Sequence, residues 1–282
     1  MSEIKPPLKW HGGKHYLARR IVALMPSHLH YVEPFLGGGA VLLARDPDEP
    51  SLWLGRHEGV SEVVNDLNGR LVNFWRVLQR EDTFQRFRRA VAAIPLARAE
   101  WEAAHAHPYG ADSVADAVAF FVHCRQSRSG FMGTFTPLTR TRTRRRMNGN
   151  VSEWLTAVDG LPGVHARLRR VCIENMPALD LIRREDGPGT LFYCDPPYLH
   201  DTRTSKDAYG CHEMTEADHR ELLAALRACE GKVMLSGYPS ELYESELAGW
   251  HRHDFDLPNN AAGGQVKRRM TECLWCNFEA GT

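Results

Sequence analysis

The chain has 282 residues, with 35 Lys+Arg against 35 Asp+Glu, a formal net charge of zero and 43% hydrophobic residues. That is enough apolar material for one substantial core and a smaller appended domain, and no apolar run approaches the length of a membrane span. Seven cysteines are an odd number without framework spacing, and the N-terminus lacks a signal-like apolar segment, so a cytoplasmic protein is expected.

In chain order, the apolar runs predict strands over 31–35, 61–64, 171–174, 190–194, 232–235, 252–256 and 272–278. Helical periodicity predicts helices over 16–24, 68–79, 178–184 and 216–228. The last of these starts at Thr215 with Asp218 three residues on, a capping-box-like start. Strands separated by helices imply a largely parallel sheet, and the close pair at 252–256 and 272–278 implies an antiparallel edge. The expected class is α/β, a Rossmann-like sheet interrupted by a mainly helical insertion. The boundaries expected from composition are 1–80 and 169–282 for the sheet domain and 81–168 for the insertion.

Two strand ends carry chemistry. The run Tyr31-Val32-Glu33-Pro34-Phe35-Leu36 leads into Gly37-Gly38-Gly39 and then an apolar helix start. Glycines at such a turn permit positive φ and close approach of a ligand to the backbone. The spacing departs from the dinucleotide fingerprint. Val63-Val64-Asn65-Asp66 follows, placing an acid where a ribose-hydroxyl acceptor is expected in a Rossmann-like half. Together these imply a nucleoside-containing cofactor without a pyrophosphate.

The second strand end is Asp195-Pro196-Pro197-Tyr198, after the apolar run Leu191-Phe192-Tyr193-Cys194. Open α/β sheets bind ligands at the C-terminal ends of their strands. Asp195 and the Pro196 carbonyl can each accept an N–H from an exocyclic amine, the two prolines fix φ and remove donors, and Tyr198 can stack on the ring. Any strand can also end in Asp and a proline turn, so the tetrapeptide gains meaning from its companions.

From Ala117 to Ser152 there are seven arginines and no acidic residue. Arg140, Arg142, Arg144, Arg145 and Arg146 alternate with threonines or follow one another, and both residue types donate to phosphate oxygens. Arg125, Gln126 and Arg128 precede Gly130-Phe131-Met132-Gly133, a combination suited to base-edge hydrogen bonds and an apolar wedge into DNA. Cys273-x-x-Cys276 is the one close cysteine pair. With no second pair or matching histidines, no metal site is expected.

The ordered motifs Lys9-Trp10-His11-Gly12-Gly13-Lys14, Glu33 to Gly39, Asn65-Asp66 and Asp195 to Tyr198 resemble those of Dam-like, alpha-class DNA adenine methyltransferases. Thr202-Arg203, Tyr209, His212 to Thr215, His219, Leu235 to Tyr238, Arg269 and Glu272 to Trp275 are similar to the phage and prophage branch of that family. The resemblance implies transfer of a methyl group from S-adenosyl-L-methionine to the N6 amine of a flipped-out adenine in double-stranded DNA, without a membrane or an obligatory protein partner. It implies catalytic roles for Asp195, Pro196, Pro197 and Tyr198. It also implies that Trp10 packs on the cofactor, Lys14 meets its carboxylate, Glu33, Pro34, Phe35, Gly37, Gly38 and Gly39 cradle the methionine portion, Asp66 holds the ribose, and Asp195 borders the cofactor as well as the amine. Relatives often carry Asp where this chain offers Glu174 or Asn175, so an amide at Asn175 is expected to take the place of that carboxylate. Two alternatives stay open here: a cytosine-N4 methyltransferase, against which Asp195 argues because cytosine enzymes more often have Ser there, and a catalytically silent binding protein with the same fold.

Overall fold

The computed structural model describes residues 4–110, 112–128, 132–138, 140–199, 213–258 and 269–280. Along the chain run α1 (Ala18–Ala23), β1 (His30–Glu33), α2 (Ala40–Ala44), β2 (Ser61–Asn65), α3 (Gly69–Gln79), α4 (Glu81–Ala93), α5 (Arg98–His105) and α6 (Ser113–Gln126). Then come β3 (Thr143–Arg144), β4 (Met147–Asn148), α7 (Gly149–Leu168), β5 (Cys172–Glu174), α8 (Ala178–Glu185), β6 (Thr190–Cys194), α9 (Glu216–Ala228), β7 (Lys232–Gly237), α10 (Glu241–Glu246), β8 (His251–Pro258) and β9 (Arg269–Cys276).

Seven strands form one sheet in the order β5-β2-β1-β6-β7-β9-β8, and β3 and β4 form a separate two-stranded one. β1 lies parallel to β2 and β6, and β6 parallel to β7. β9 runs antiparallel to both β7 and β8. Every residue of β6 is buried, which explains why its sequence is a continuous apolar run and not an alternation: a central parallel strand is covered on both faces. β1 stops at Glu33, two residues short of the predicted 31–35, because Pro34 has no N–H for the ladder. β7 instead runs on to Gly237, held by its pairing with Cys273 of β9.

By chain contacts, one compact unit comprises Leu24–Phe35, Pro47–Leu67 and Met176–Thr282. Its core sets one face of the sheet, Val32, Phe192, Cys194, Val233, Leu235, Cys273 and Trp275, against Leu181 and Ile182 of α8, Leu222, Leu223 and Leu226 of α9, and Leu242 and Tyr243 of α10. α9 begins with the expected capping box: the Asp218 amide donates to Thr215 Oγ1 at 3.2 Å and the Thr215 amide to Asp218 Oδ2 at 2.7 Å.

The other unit comprises Met1–Ala23, Leu36–Asp46 and Asn68–Asn175. Its helices meet through aromatic rings, with Phe74 of α3 stacked on Phe121 of α6 at 5.9 Å and Phe87 of α4 edge-on to both. Trp154 of α7 closes on Phe121 and donates its indole N–H to the Ile94 carbonyl at 2.9 Å. The stretch 81–168 lies wholly within this unit and is mainly helical. Among the described residues no helix is long and apolar enough to cross a membrane.

Candidate active site

Parallel strands deliver their C-terminal ends to the same edge of a sheet, and the register of β2, β1, β6 and β7 makes that edge specific. Val32 pairs with Val63 and with Phe192, and Cys194 pairs with Leu235. One residue beyond the strand ends come Asp66 after β2, Pro34 after β1, Asp195 after β6 and Tyr238 after β7. Four segments far apart in sequence thus end side by side, and each lies in a motif singled out from sequence.

Asn65 stitches this edge together. Its Nδ2 donates to the Pro34 carbonyl and to the Met176 carbonyl, both at 3.0 Å, while its Oδ1 accepts from the Met176 amide at 2.9 Å. The side chain is 1% exposed, so those groups have no ready water in its place. Replacing it by the similarly sized Asn65→Leu should cost about 2–4 kcal/mol, because several buried backbone groups lose their partner at once. Urea unfolding that shifts by less than about 0.5 kcal/mol would contradict this reading.

The polar groups on the face away from the α8–α10 core form a buried row. Tyr31 donates its hydroxyl to Glu33 Oε2 at 2.9 Å, Tyr193 pairs with Ser236 Oγ at 3.0 Å, and Tyr198 donates to Glu272 Oε1 at 2.6 Å. Glu33 and Glu272 are both buried. Burial, and then the charge of Asp195, push the phenols of Tyr193 and Tyr198 well above their ordinary range, with Glu272 adding to both. Both phenols therefore stay protonated, and that of Tyr198 is the donor to Glu272. Tyr198 is buried, with its ring 4.7 Å from that of Tyr238 in an edge-on arrangement. Asp195 and Pro197 are half-buried and Pro196 is buried.

In the helical unit, the glycine turn shows why three glycines occur in a row. Gly37 and Gly39 have φ of 47° and 64°, values in which a side chain is strained. A Cβ on Gly38 would lie 2.8 Å from Trp10 Cβ, and one on Gly37 would lie 2.8 Å from Trp10 Nε1. Trp10 thus packs directly on bare backbone. The turn is held from its other side by Trp75, whose indole donates to the Gly37 carbonyl at 3.1 Å. Lys14 is buried and donates to the Gly12 carbonyl at 2.9 Å. Asn175 follows β5 and is exposed, whereas Glu174, the last residue of β5, is half-buried.

The arginine segment is an ordered hairpin that composition did not reveal. Thr143 pairs with Asn148 and Arg144 with Met147, so Arg145 and Arg146 are the two turn residues, with φ of 50° and 62°. That is the pattern of a type I′ turn, which normally selects Asn and Gly. Arg145 is correspondingly pinned: its guanidinium donates to Ser152 Oγ at 3.0 Å, to the Ser152 carbonyl at 2.8 Å and to Thr156 Oγ1 at 3.0 Å on α7. Arg144 and Arg146 are exposed and make no ion pair among the described residues. Arg142 is exposed and sits 3.7 Å from Glu153. Arg140 and Arg128 are exposed.

Three of the residues expected to contact DNA, Gln126, Arg145 and Arg125, make hydrogen bonds within the fold. Gln126 is fully buried, and its amide accepts from the Ala97 N–H at 3.2 Å and donates to the Pro95 carbonyl at 3.0 Å, so its hydrogen-bonding capacity is used inside the fold. Arg145 anchors the hairpin to α7, as above. Arg125 is half-buried and directs Nη2 at the Glu153 carbonyl, 3.0 Å away. Ser129, Gly130, Phe131, Thr139, Thr202, Arg203, Tyr209 and His212 lie outside the described residues.

Comparison with known proteins now decides the family. The model of the D12 class N6 adenine-specific DNA methyltransferases matches residues 10–105 and 152–255. The chain belongs to that family. It is 23% identical to the type II methyltransferase M1.LlaDCHI of Lactococcus lactis subsp. cremoris, over 98% of this chain and 96% of that protein. It is 26% identical to the DNA adenine methylase of Serratia marcescens over 90% of this chain and 89% of the relative. Identity to the DNA N-6-adenine-methyltransferase of Escherichia phage P1 is also 26%, over 83% of this chain but 30% of the phage protein. The D12 enzyme therefore methylates adenine N6 in DNA, which decides between adenine and the cytosine alternative. The family match leaves 106–151, which holds the arginine hairpin, and 256–282, which holds Glu272, outside its bounds.

Proposed function

We propose that this methyltransferase takes its methyl group from S-adenosyl-L-methionine and acts on an adenine turned out of double-stranded DNA. The observation that carries the reading is the shared strand edge, where Asp66, Pro34, Asp195 and Tyr238 follow neighbouring parallel strands. The residues available suit the cofactor chemically. Lys14 is a buried cation for its carboxylate, Asp66 is an acid for its ribose hydroxyls, and the Gly37 to Gly39 turn beside Trp10 offers backbone without side chains in the way. Glu33, Pro34 and Phe35 lead into that turn. Asn175 is assigned to the cofactor adenine. When bound, S-adenosyl-L-methionine supplies a methyl group already activated by its sulfonium.

The adenine amine is a weak nucleophile, since its lone pair is delocalised into the ring, and within a duplex it is also paired and stacked. Extruding the base costs a few kcal/mol, roughly, which stacking on Tyr198 and phosphate contacts offset. Asp195 and the Pro196 carbonyl accept the two amine hydrogens. The lone pair then points out of the ring plane, and Pro197 keeps the backbone from relaxing. Alignment supplies much of the rate. We assign the 81–168 stretch to target recognition, with Arg128, Arg140, Arg142, Arg144 and Arg146 facing DNA.

The cofactor assignment is tested by calorimetry. Asp66→Ala should weaken S-adenosyl-L-methionine binding by about 1–3 kcal/mol, the scale for losing a charged acceptor. Unchanged affinity would move the ribose contact elsewhere.

A further inference from the structure

A buried carboxylate on a strand is costly unless something uses it. Glu272 is 3% exposed on β9, where its neighbours Cys273, Leu274, Trp275 and Cys276 are all buried, and it lies outside the residues that the family model matches. Its position is set by pairing: Gly237 stands opposite Cys273 in the antiparallel β7–β9 ladder, so the next step puts Tyr238 opposite Glu272. Leu274 and Glu272 share a face with Ser236 and Tyr238, because side chains alternate along each strand.

Tyr198 arrives at this corner from the end of β6. Its hydroxyl donates to Glu272 Oε1 at 2.6 Å, and its ring meets the Tyr238 ring edge-on at 4.7 Å and 76°. The two prolines before it fix the backbone that carries it. A tyrosine has two side-chain torsions. An anchored hydroxyl and a neighbouring ring edge determine both, so the plane of the ring is fixed before any base arrives.

We propose that Glu272 is a positioning residue for the reaction, holding the Tyr198 ring in the orientation on which the extruded adenine stacks, with Tyr238 bracing it. This rests on the reading that Tyr198 is the stacking surface. Glu272 acts through Tyr198 and touches no reacting atom. Tyr198 remains a donor throughout the working pH range, since burial and the nearby carboxylates hold its phenol protonated. The carboxylate serves as acceptor, a role that a glutamine oxygen can also fill.

The test is steady-state methyl transfer at saturating DNA and S-adenosyl-L-methionine, with KM for each measured separately. Tyr198→Phe and Glu272→Ala should each lower kcat by about tenfold while leaving KM for S-adenosyl-L-methionine within about twofold, since misorientation of the base affects alignment and not cofactor binding. The two together should be no slower than the slower single variant, because both remove one shared contact. Glu272→Gln should recover to within about threefold of wild type. Turnover of Tyr198→Phe at the wild-type rate, multiplicative losses in the double variant, or Glu272→Gln as slow as Glu272→Ala would overturn the proposal. If Glu272→Ala does not fold, Tyr198→Phe and Glu272→Gln decide the matter by themselves. Tyr198→Ala separates the two levels. Full activity there would remove Tyr198 as the stacking surface, whereas loss there with an unaffected Tyr198→Phe would leave stacking intact and reject Glu272 alone.

Discussion

Asp195→Ala is expected to lower turnover by about 10²–10³-fold or more, the scale seen when a preorganised group aimed at the reacting atoms is removed. Its fold should survive. Asp195 follows β6 at the strand edge and is half-buried, so its loss removes no part of the apolar core formed by Phe192 and Cys194. Cofactor affinity should change far less than kcat, because the carboxylate is assigned to the amine that attacks. The measurement is single-turnover methylation under saturating cofactor and DNA, with circular dichroism to verify folding. More than a tenth of wild-type turnover would remove Asp195 from the reaction.

Neutralising the exposed hairpin arginines is expected to have the second largest effect. Arg144→Ala combined with Arg146→Asn removes two cations, and Asn tolerates the positive φ of 62° that position 146 requires. If each arginine contacts one phosphate, the slope of log K against log salt should flatten by about 1.8 units, equivalent to about 60-fold weaker binding at 0.1 M salt. The loss should be the same on all sequences. A fluorescence-anisotropy salt titration reads both quantities. An unchanged slope would leave these arginines as solvated charges, and a spread of methylation to new sequences at constant affinity would make them base readers. Arg145, committed to Ser152 and Thr156 of α7, is expected to act on hairpin order instead.

The parts of this enzyme that local pattern determines were legible in its sequence. β6 and α9 fall on their predicted bounds, one because a doubly covered strand must be apolar throughout, the other because Thr215 and Asp218 define a start that few other arrangements satisfy. The motifs at Asp66 and Asp195 were readable because strand ends in an α/β sheet are where polar residues interrupt apolar runs. What remained hidden depends on partners distant in sequence. Glu272 meets Tyr198 across 74 residues, through an antiparallel pairing that no local signal announces. Gln126 sits beside Arg125 and Arg128 in sequence and looked like a base reader, yet the last turn of α6 faces Pro95 and Ala97, which consume its amide. The hairpin went unseen because its turn is made by two arginines, residues that turn chemistry disfavours at positive φ. Arg145 ties it to α7 by hydrogen bonds that only the folded chain supplies.

Transfer of a methyl group from S-adenosyl-L-methionine to adenine N6 in DNA, at the strand edge that carries Asp195, can be followed by incubating the purified protein with methyl-labelled S-adenosyl-L-methionine and duplex DNA, then resolving the digested nucleosides by mass spectrometry. The prediction is label in N6-methyladenine, lost with Asp195→Ala. Label in N4-methylcytosine, no label in DNA, or equal labelling by Asp195→Ala would contradict it.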